Sequence, residues 1–200
     1  MVILQAGHGG AAMATSSDRK LWERTAEGDS EAFAQLYDRR ARAIYNFLYR
    51  RTASWSDAED LTSVVFLHAW RRRAEIVLDG DSALPWLYRV ADYTLRNEWR
   101  SRARYRKAIA AAHLPAEHVH DHADDVAGRF DDDRQIRAAR ESLKRLPKQE
   151  REIVELCIWA GLDQQAAAVA LDIPIGTVKS RLSRARKHLR ALNIIPSLEA

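Results

Sequence analysis

Apolar residues along this chain recur at helical spacing and nowhere sustain the alternation of a strand. Phe33, Leu36, Tyr37, Ile44, Phe47 and Leu48 make one stripe, opening near Asp29. After a break at Thr52-Ala53-Ser54-Trp55, a second stripe holds Leu61, Val64, Val65, Leu67 and Trp70. Ser56-Asp57-Ala58-Glu59 reads as its capping box, with Ser56 bonding the Glu59 amide. Asp79-Gly80-Asp81-Ser82 has loop composition, and Pro85 suits the first turn of a helix through Trp86, Leu87, Val90 and Ala91. Further on, Ile136, Leu143 and Leu146 share a helix stopped by Pro147. Lys148 to Trp159 forms the next, ending at Ala160-Gly161, where glycine suits a left-handed cap. A short apolar segment, Gln165 to Leu171, and a tight Asp172-Ile173-Pro174 connection lead to a last helix. The expected class is all-α: two small helical domains, 26–107 and 134–194, joined by a flexible linker over 108–133. A disordered extension, 1–25, precedes them and a tail, 195–200, follows.

The last helix changes the picture most. Val178, Leu182, Ala185 and Leu189 fall at i, i+4, i+7 and i+11, one stripe for a core. Between Thr177 and Arg190 the rest of the helix carries six lysines and arginines and no acid. Like charges at helical spacing repel, so a helix this basic needs a polyanion to face. Helix, tight turn and basic helix make a helix-turn-helix, with the second helix suited to the major groove. The arginine-rich end from Arg96 to Lys107 is a second basic surface.

Composition narrows the alternatives. An apolar fraction of 46% allows a packed core, and the net charge of +4 conceals its uneven placement. The single cysteine, Cys157, shares helical spacing with Ile153, Leu156 and Ala160 and reads as core; no internal disulfide is possible. No run reaches the roughly 18 apolar residues of a membrane span. Met1 to Ser17 lacks the basic start of a signal peptide. Residues 113–133 hold seven acids and four histidines against one arginine, the composition of a linker. Within it, His118-Val119-His120-Asp121-His122 superficially resembles a metallo-hydrolase loop. Its acid and third histidine each come one position early, and the required strands are absent, so no metal ligand is assigned.

Several motifs then combine. Leu146-Pro147, Arg151-Glu152-Ile153-Val154, Gly161-Leu162, Gly176-Thr177-Val178-Lys179-Ser180-Arg181-Leu182 and Arg184-Ala185-Arg186 resemble region 4 of bacterial sigma factors. Asp57-Ala58-Glu59-Asp60-Leu61, Phe66-Leu67 and Ala69-Trp70 resemble the region 2 helix that grips RNA polymerase. Pro85-Trp86-Leu87-Tyr88-Arg89-Val90-Ala91 resembles the promoter-opening helix. Two such domains with a linker are similar to the extracytoplasmic-function group, over about 26–190.

The resemblance implies a non-enzymatic initiation factor with no cofactor, working in the cytoplasm with core RNA polymerase, promoter DNA and an anti-sigma protein. Thr177, Lys179, Ser180, Arg181, Arg184, Arg186 and Lys187 would meet the −35 element. Trp86, Arg89, Tyr93, Arg96, Asn97 and Arg100 would meet the −10 element, with Tyr88 as further stacking surface. Asp57, Asp60, Leu61, Phe66 and Trp70 would contact the polymerase. Asp79 to Ser82 matches the loop that captures a flipped base, and the acidic linker the segment threaded towards the polymerase cleft. Five positions depart from the family pattern: Tyr93 stands for asparagine, Asn97 for aspartate, Ser63-Val64 for glutamine and an acid, and Asp172 for a glycine in the turn; Gln164 to Ala168 also match poorly in their polar positions. The other readings are a stand-alone helix-turn-helix regulator, which polymerase binding would separate, and a metal-dependent hydrolase, which zinc content would reveal.

Overall fold

The computed structural model describes residues 17–112 and 130–192, which form eight α-helices and no strand. The first, α1 (Asp18–Ala26), starts at Ser17, whose hydroxyl accepts the Lys20 amide. These residues were expected in a disordered extension; from Asp18 onward they belong to the first domain instead. Leu21, Trp22 and Thr25 lie on one face and are buried, too short a stripe to stand out in the sequence. The Trp22 Nε1 donates to the Ile76 carbonyl at 2.9 Å, and its ring lies 5.1 Å from that of Trp86.

Asp18 joins three elements. It is buried, accepts from Arg40 Nε at 2.7 Å and Arg39 Nη1 at 3.2 Å, and accepts the Ala83 amide at 2.9 Å. Helix α2 (Ser30–Thr52) follows, capped by Asp29, whose carboxylate accepts the Glu31 and Ala32 amides at 3.0 Å. Next, α3 (Trp55–Arg71) is capped by Ser54, which accepts the Asp57 amide at 3.2 Å. The cap therefore lies two residues before the expected Ser56 box: Ser54 has the extended backbone a cap needs, whereas Ser56 is already helical. Pro85 sits in the first turn of α4 (Leu84–Ala111), as expected, and the 28 residues span about 42 Å.

The second group comprises α5 (Phe130–Lys144), α6 (Lys148–Val154), α7 (Gln164–Leu171) and α8 (Ile175–Ala191). Helix α6 continues into one π-helical turn, Glu155–Trp159, before Gly161 turns the chain with φ +71°. Asp172, at φ 56° and ψ 48°, makes the left-handed turn between α7 and α8. Helix α4 thus runs beyond the expected boundary at 107, and α5 begins before 134. The histidine motif from His118 to His122, and most of the acidic stretch around it, lie outside the described residues, as do 1–16 and 193–200.

The two groups pack together. Leu87, Leu95 and Ala91 of α4 belong to one buried cluster with Ile153, Leu156, Ala167 and Ala170. Charged groups line the seam. Arg51, 6% exposed, pairs with Asp92 at 2.6 Å and with Glu155 at 3.1 Å. Its guanidinium also lies 5.2 Å from the Phe47 ring centre and 5.6 Å from that of Trp99. Arg96 bridges Asp92 and Glu152, each at 2.7 Å, and Arg50 donates to the Trp159 carbonyl at 2.6 Å. Burial pushes the Glu155 carboxyl above its usual range, against the attraction of Arg51 and Arg151. A buried pair like Arg51–Glu155 adds little net stability over an apolar pair, but losing one partner strands the other, so it fixes this arrangement more than it strengthens it.

Candidate nucleic-acid interface

Helix α8 presents cations because its other face is spent on packing. Val178, Leu182, Ala185 and Leu189 are all buried, as their spacing requires. Rotation by 100° per residue then turns Lys179, Ser180, Arg184, Arg186 and Lys187 outward, where all are exposed. Thr177 and Arg181 are half-buried at the edge, and Ser180 Oγ donates back to the Thr177 carbonyl at 3.0 Å. Pro174 precedes the helix and gives it no side-chain cap, although its carbonyl accepts the Thr177 and Val178 amides at 2.9 and 3.2 Å. Lone cations on one exposed helical face suit a duplex: guanidinium groups can pair bidentately with guanine edges, and amines can hold phosphates.

On α4 five of the six residues expected at the −10 element share a surface, a groove of about 760 Å³ between α3, α4 and α7, and Asn97 lies outside its lining. Trp86, Arg89, Tyr93, Arg96 and Arg100 line it, together with His68 and Arg72. Tyr93, 60% exposed, offers a free ring face, and Trp86 is half-buried against Trp22. Asn97 accepts from Arg100 Nη1 at 3.2 Å, so its amide is partly engaged. Two cations of the groove are engaged across the seam: Arg89 with Asp172 at 2.9 Å, and Arg96 with Glu152. Tyr88 corrects the expectation of a further stacking surface. It is 2% exposed, packed edge-on to Phe47 with ring centres 5.0 Å apart, and burial raises its hydroxyl pKa.

The residues expected at the polymerase divide between surface and core. Asp60 is exposed on α3. Leu61 and Phe66 are buried, because they fall on the stripe that meets α2 and α4, and so can act only by shaping the helix. Asp57 is bound in a fork by Arg102 of α4, at 2.7 and 2.9 Å. That hydrogen-bonded carboxylate, with Glu98, raises the Arg102 pKa. Trp70 is half-buried against Phe33, with Arg73 stacked 4.1 Å from its ring centre. Sequence reasoning passed over Tyr37, Val64 and Leu67, which expose 40%, 37% and 45% of their surface. Tyr37 meets Phe66 edge-on at 4.7 Å, which places it beside α3. Helical spacing alone had assigned all three to the core stripe; only the position of the neighbouring helices shows which edge of a stripe is left open.

Among the described residues no group of histidine, cysteine, aspartate and glutamate could hold a metal ion, and no helix is long and apolar enough to cross a membrane. Cys157 is half-buried, and burial raises its thiol pKa. Residues 36–105 match the family model for sigma-70 region 2, and 136–189 that for sigma-70 region 4. The chain is 32% identical to the RNA polymerase sigma factor NccH of Alcaligenes xylosoxydans xylosoxydans, over 88% of this chain and 95% of that one. It is 31% identical to the ECF RNA polymerase sigma factor SigK of Mycolicibacterium vanbaalenii, over 86% and 85%. Its fold resembles that of CnrH in complex with the cytosolic domain of CnrY, with a TM-score of 0.66 and 24% identity over 90% of this chain and 99% of that one. It also resembles the sigma factor RpoE bound to the anti-sigma factor NepR from Bartonella quintana, with a TM-score of 0.61 and 23% identity over 84% and 99%.

Proposed function

The chain belongs to the extracytoplasmic-function group of the sigma-70 family, and on that premise we propose how its surfaces divide the work of promoter recognition and opening. It is a sigma factor: it binds core RNA polymerase and directs promoter-specific initiation. The observation that carries the rest is the exposed basic face of α8, set on a fully buried stripe in the segment that matches region 4. Lys179, Arg181 and Arg184 enter the major groove of the −35 element, with Ser180 and Thr177 at the same edge. Arg186 and Lys187, one to two turns further on, hold phosphates, which fixes register without reading sequence.

Region 2 opens the −10 element with no chemistry of its own. An unstacked base needs an aromatic face and the freed strand needs cations. Tyr93 and the open edge of Trp86 supply the first; Arg89, Arg96 and Arg100 the second, with Asn97 offering an amide edge. Core polymerase meets the exposed side of α3, where Asp60, Val64 and Leu67 recur along one face beside Tyr37. Asp57, Leu61, Phe66 and Trp70 support that face from beneath. The protein is a binding factor without catalytic groups, and its place is the cytoplasm, where its polymerase works. An anti-sigma protein would cover the same surfaces.

The test is run-off transcription with purified core polymerase and genomic promoter fragments. New discrete transcripts are expected only with this protein, and their loss is expected in a Lys179→Ala, Arg181→Ala, Arg184→Ala variant that still binds core. Absence of transcripts together with absence of core binding would return the chain to a stand-alone regulator.

A further inference from the structure

Helix α1 holds the loop that joins α3 to α4. Residues 76–83 of that loop form no helix or strand, so their backbone groups need partners from elsewhere. Four of those groups are met by α1. Trp22 Nε1 donates to the Ile76 carbonyl and Arg19 Nη2 to the Leu78 carbonyl, both at 2.9 Å. The Arg19 amide donates to the Asp81 carbonyl at 3.3 Å, and Asp18 accepts the Ala83 amide at 2.9 Å. Leu78 and Ala83 are buried, which pins the loop at two points. Val77, 86% exposed, and Asp79, Gly80 and Asp81 face outward. The loop thus has a fixed frame and an open tip.

Trp22 ties this frame to the strand groove. Its ring packs 5.1 Å from that of Trp86, and Ile76, whose carbonyl it holds, lines the groove together with Trp86 and Tyr93. Trp22 is itself 2% exposed and has no surface to offer DNA. One buried side chain therefore sets the spacing between the loop and the aromatic faces. The segment matching the region 2 model begins at residue 36, so α1 lies outside it.

We propose that α1 is a positioning element for base capture, with Trp22 and Arg19 fixing the 76–83 loop against Trp86. The proposal rests on reading region 2 as the strand-opening domain and this loop as the place that takes the unstacked base. A pocket for one base selects only while its walls keep their spacing, and a misplacement of about 1 Å can cost on the order of 100-fold. Without the clamp, the loop would lose that selectivity to its own motion.

The test uses the full chain in holoenzyme with core polymerase. The probes are fork-junction DNAs carrying the −10 sequence of a promoter found by run-off transcription, each with one unpaired base replaced by an abasic site. For wild type we expect one position where loss of the base lowers affinity about tenfold, the scale of one stacked base. In Arg19→Ala, and further in Arg19→Ala with Trp22→Phe, the penalty should shrink to about threefold or less. Arg19→Lys should restore most of it, because an ammonium also donates to the Leu78 carbonyl. Lost charge or a smaller folded fraction lowers affinity for every fork alike, so this ratio reads position rather than stability. A loop-tip variant, Val77→Gly, Asp79→Gly, Asp81→Gly, tests the premise and should erase the penalty. If it does so while both α1 variants keep the full tenfold, the positioning role is overturned and the loop reading stands. A penalty that persists in the loop-tip variant, or no sensitive position in wild type, would remove the loop from base capture and the proposal with it.

Discussion

Asp18 shows how much one residue can organise. Desolvation pushes its carboxyl pKa up, but hydrogen bonds from Arg40, the Ala83 amide and Arg39 outweigh this, and the net pKa lies below the usual range. A carboxyl lowered on folding contributes stability that is fully present above its unfolded pKa and is lost as pH falls through the folded one. Asp18→Asn should therefore cost about 3 kcal/mol at neutral pH, the lower end for breaking a buried ionic cluster. Urea titrations should show the gap to wild type narrowing once the pH drops below about 4. Nothing in the local sequence marks this residue: an aspartate near the start of a nine-residue helix reads as a first-turn acid, and its partners are 21, 22 and 65 positions away. Asp172 is different, because as a non-glycine at a turn it was visible from sequence, although its partner Arg89 was not.

At the scale of the element, helices with a clean stripe were legible and short or fully surrounded ones were not. The α8 stripe was readable to the residue, since Val178, Leu182, Ala185 and Leu189 meet a core on one side only. In α3 the apolar positions cover more than half the circumference, so periodicity could not distinguish the face that packs from the face left open. The structure leaves Val64 and Leu67 outside and takes Leu61 and Phe66 in. Val64→Asp with Leu67→Asp should accordingly abolish capture by core polymerase while leaving the unfolding free energy within about 0.5 kcal/mol of wild type, as surface changes do. Phe66→Ala should instead lose about 3–5 kcal/mol of stability, the cost of an emptied aromatic site. A pull-down run beside the denaturation curves separates the two effects.

For the whole molecule, the closed arrangement was beyond the reach of sequence. Two domains and a linker say nothing about whether the domains touch, and the seam is formed by residues such as Arg51 and Glu155, 104 positions apart, that look like ordinary surface charges in their own helices. A shared core also predicts shared melting. Calorimetry of the wild-type chain should show one transition, and the Asp172→Asn, Glu152→Gln variant should broaden or split it as the domains lose their common interface. A single, unchanged transition in both would mean that the apolar cluster alone holds the seam.

The left-handed turn at Asp172 also bears on how such a protein can change over generations. Glycine would fit that backbone with less strain, so losing the aspartate would not threaten folding. Nor would it alter the exposed cations of α8. A lineage could thus loosen or tighten the contact between its two domains by a single codon and leave the basic face of α8 as it was. In this chain, the clasp between the domains and the cations of α8 are written in separate residues, and selection can edit either alone.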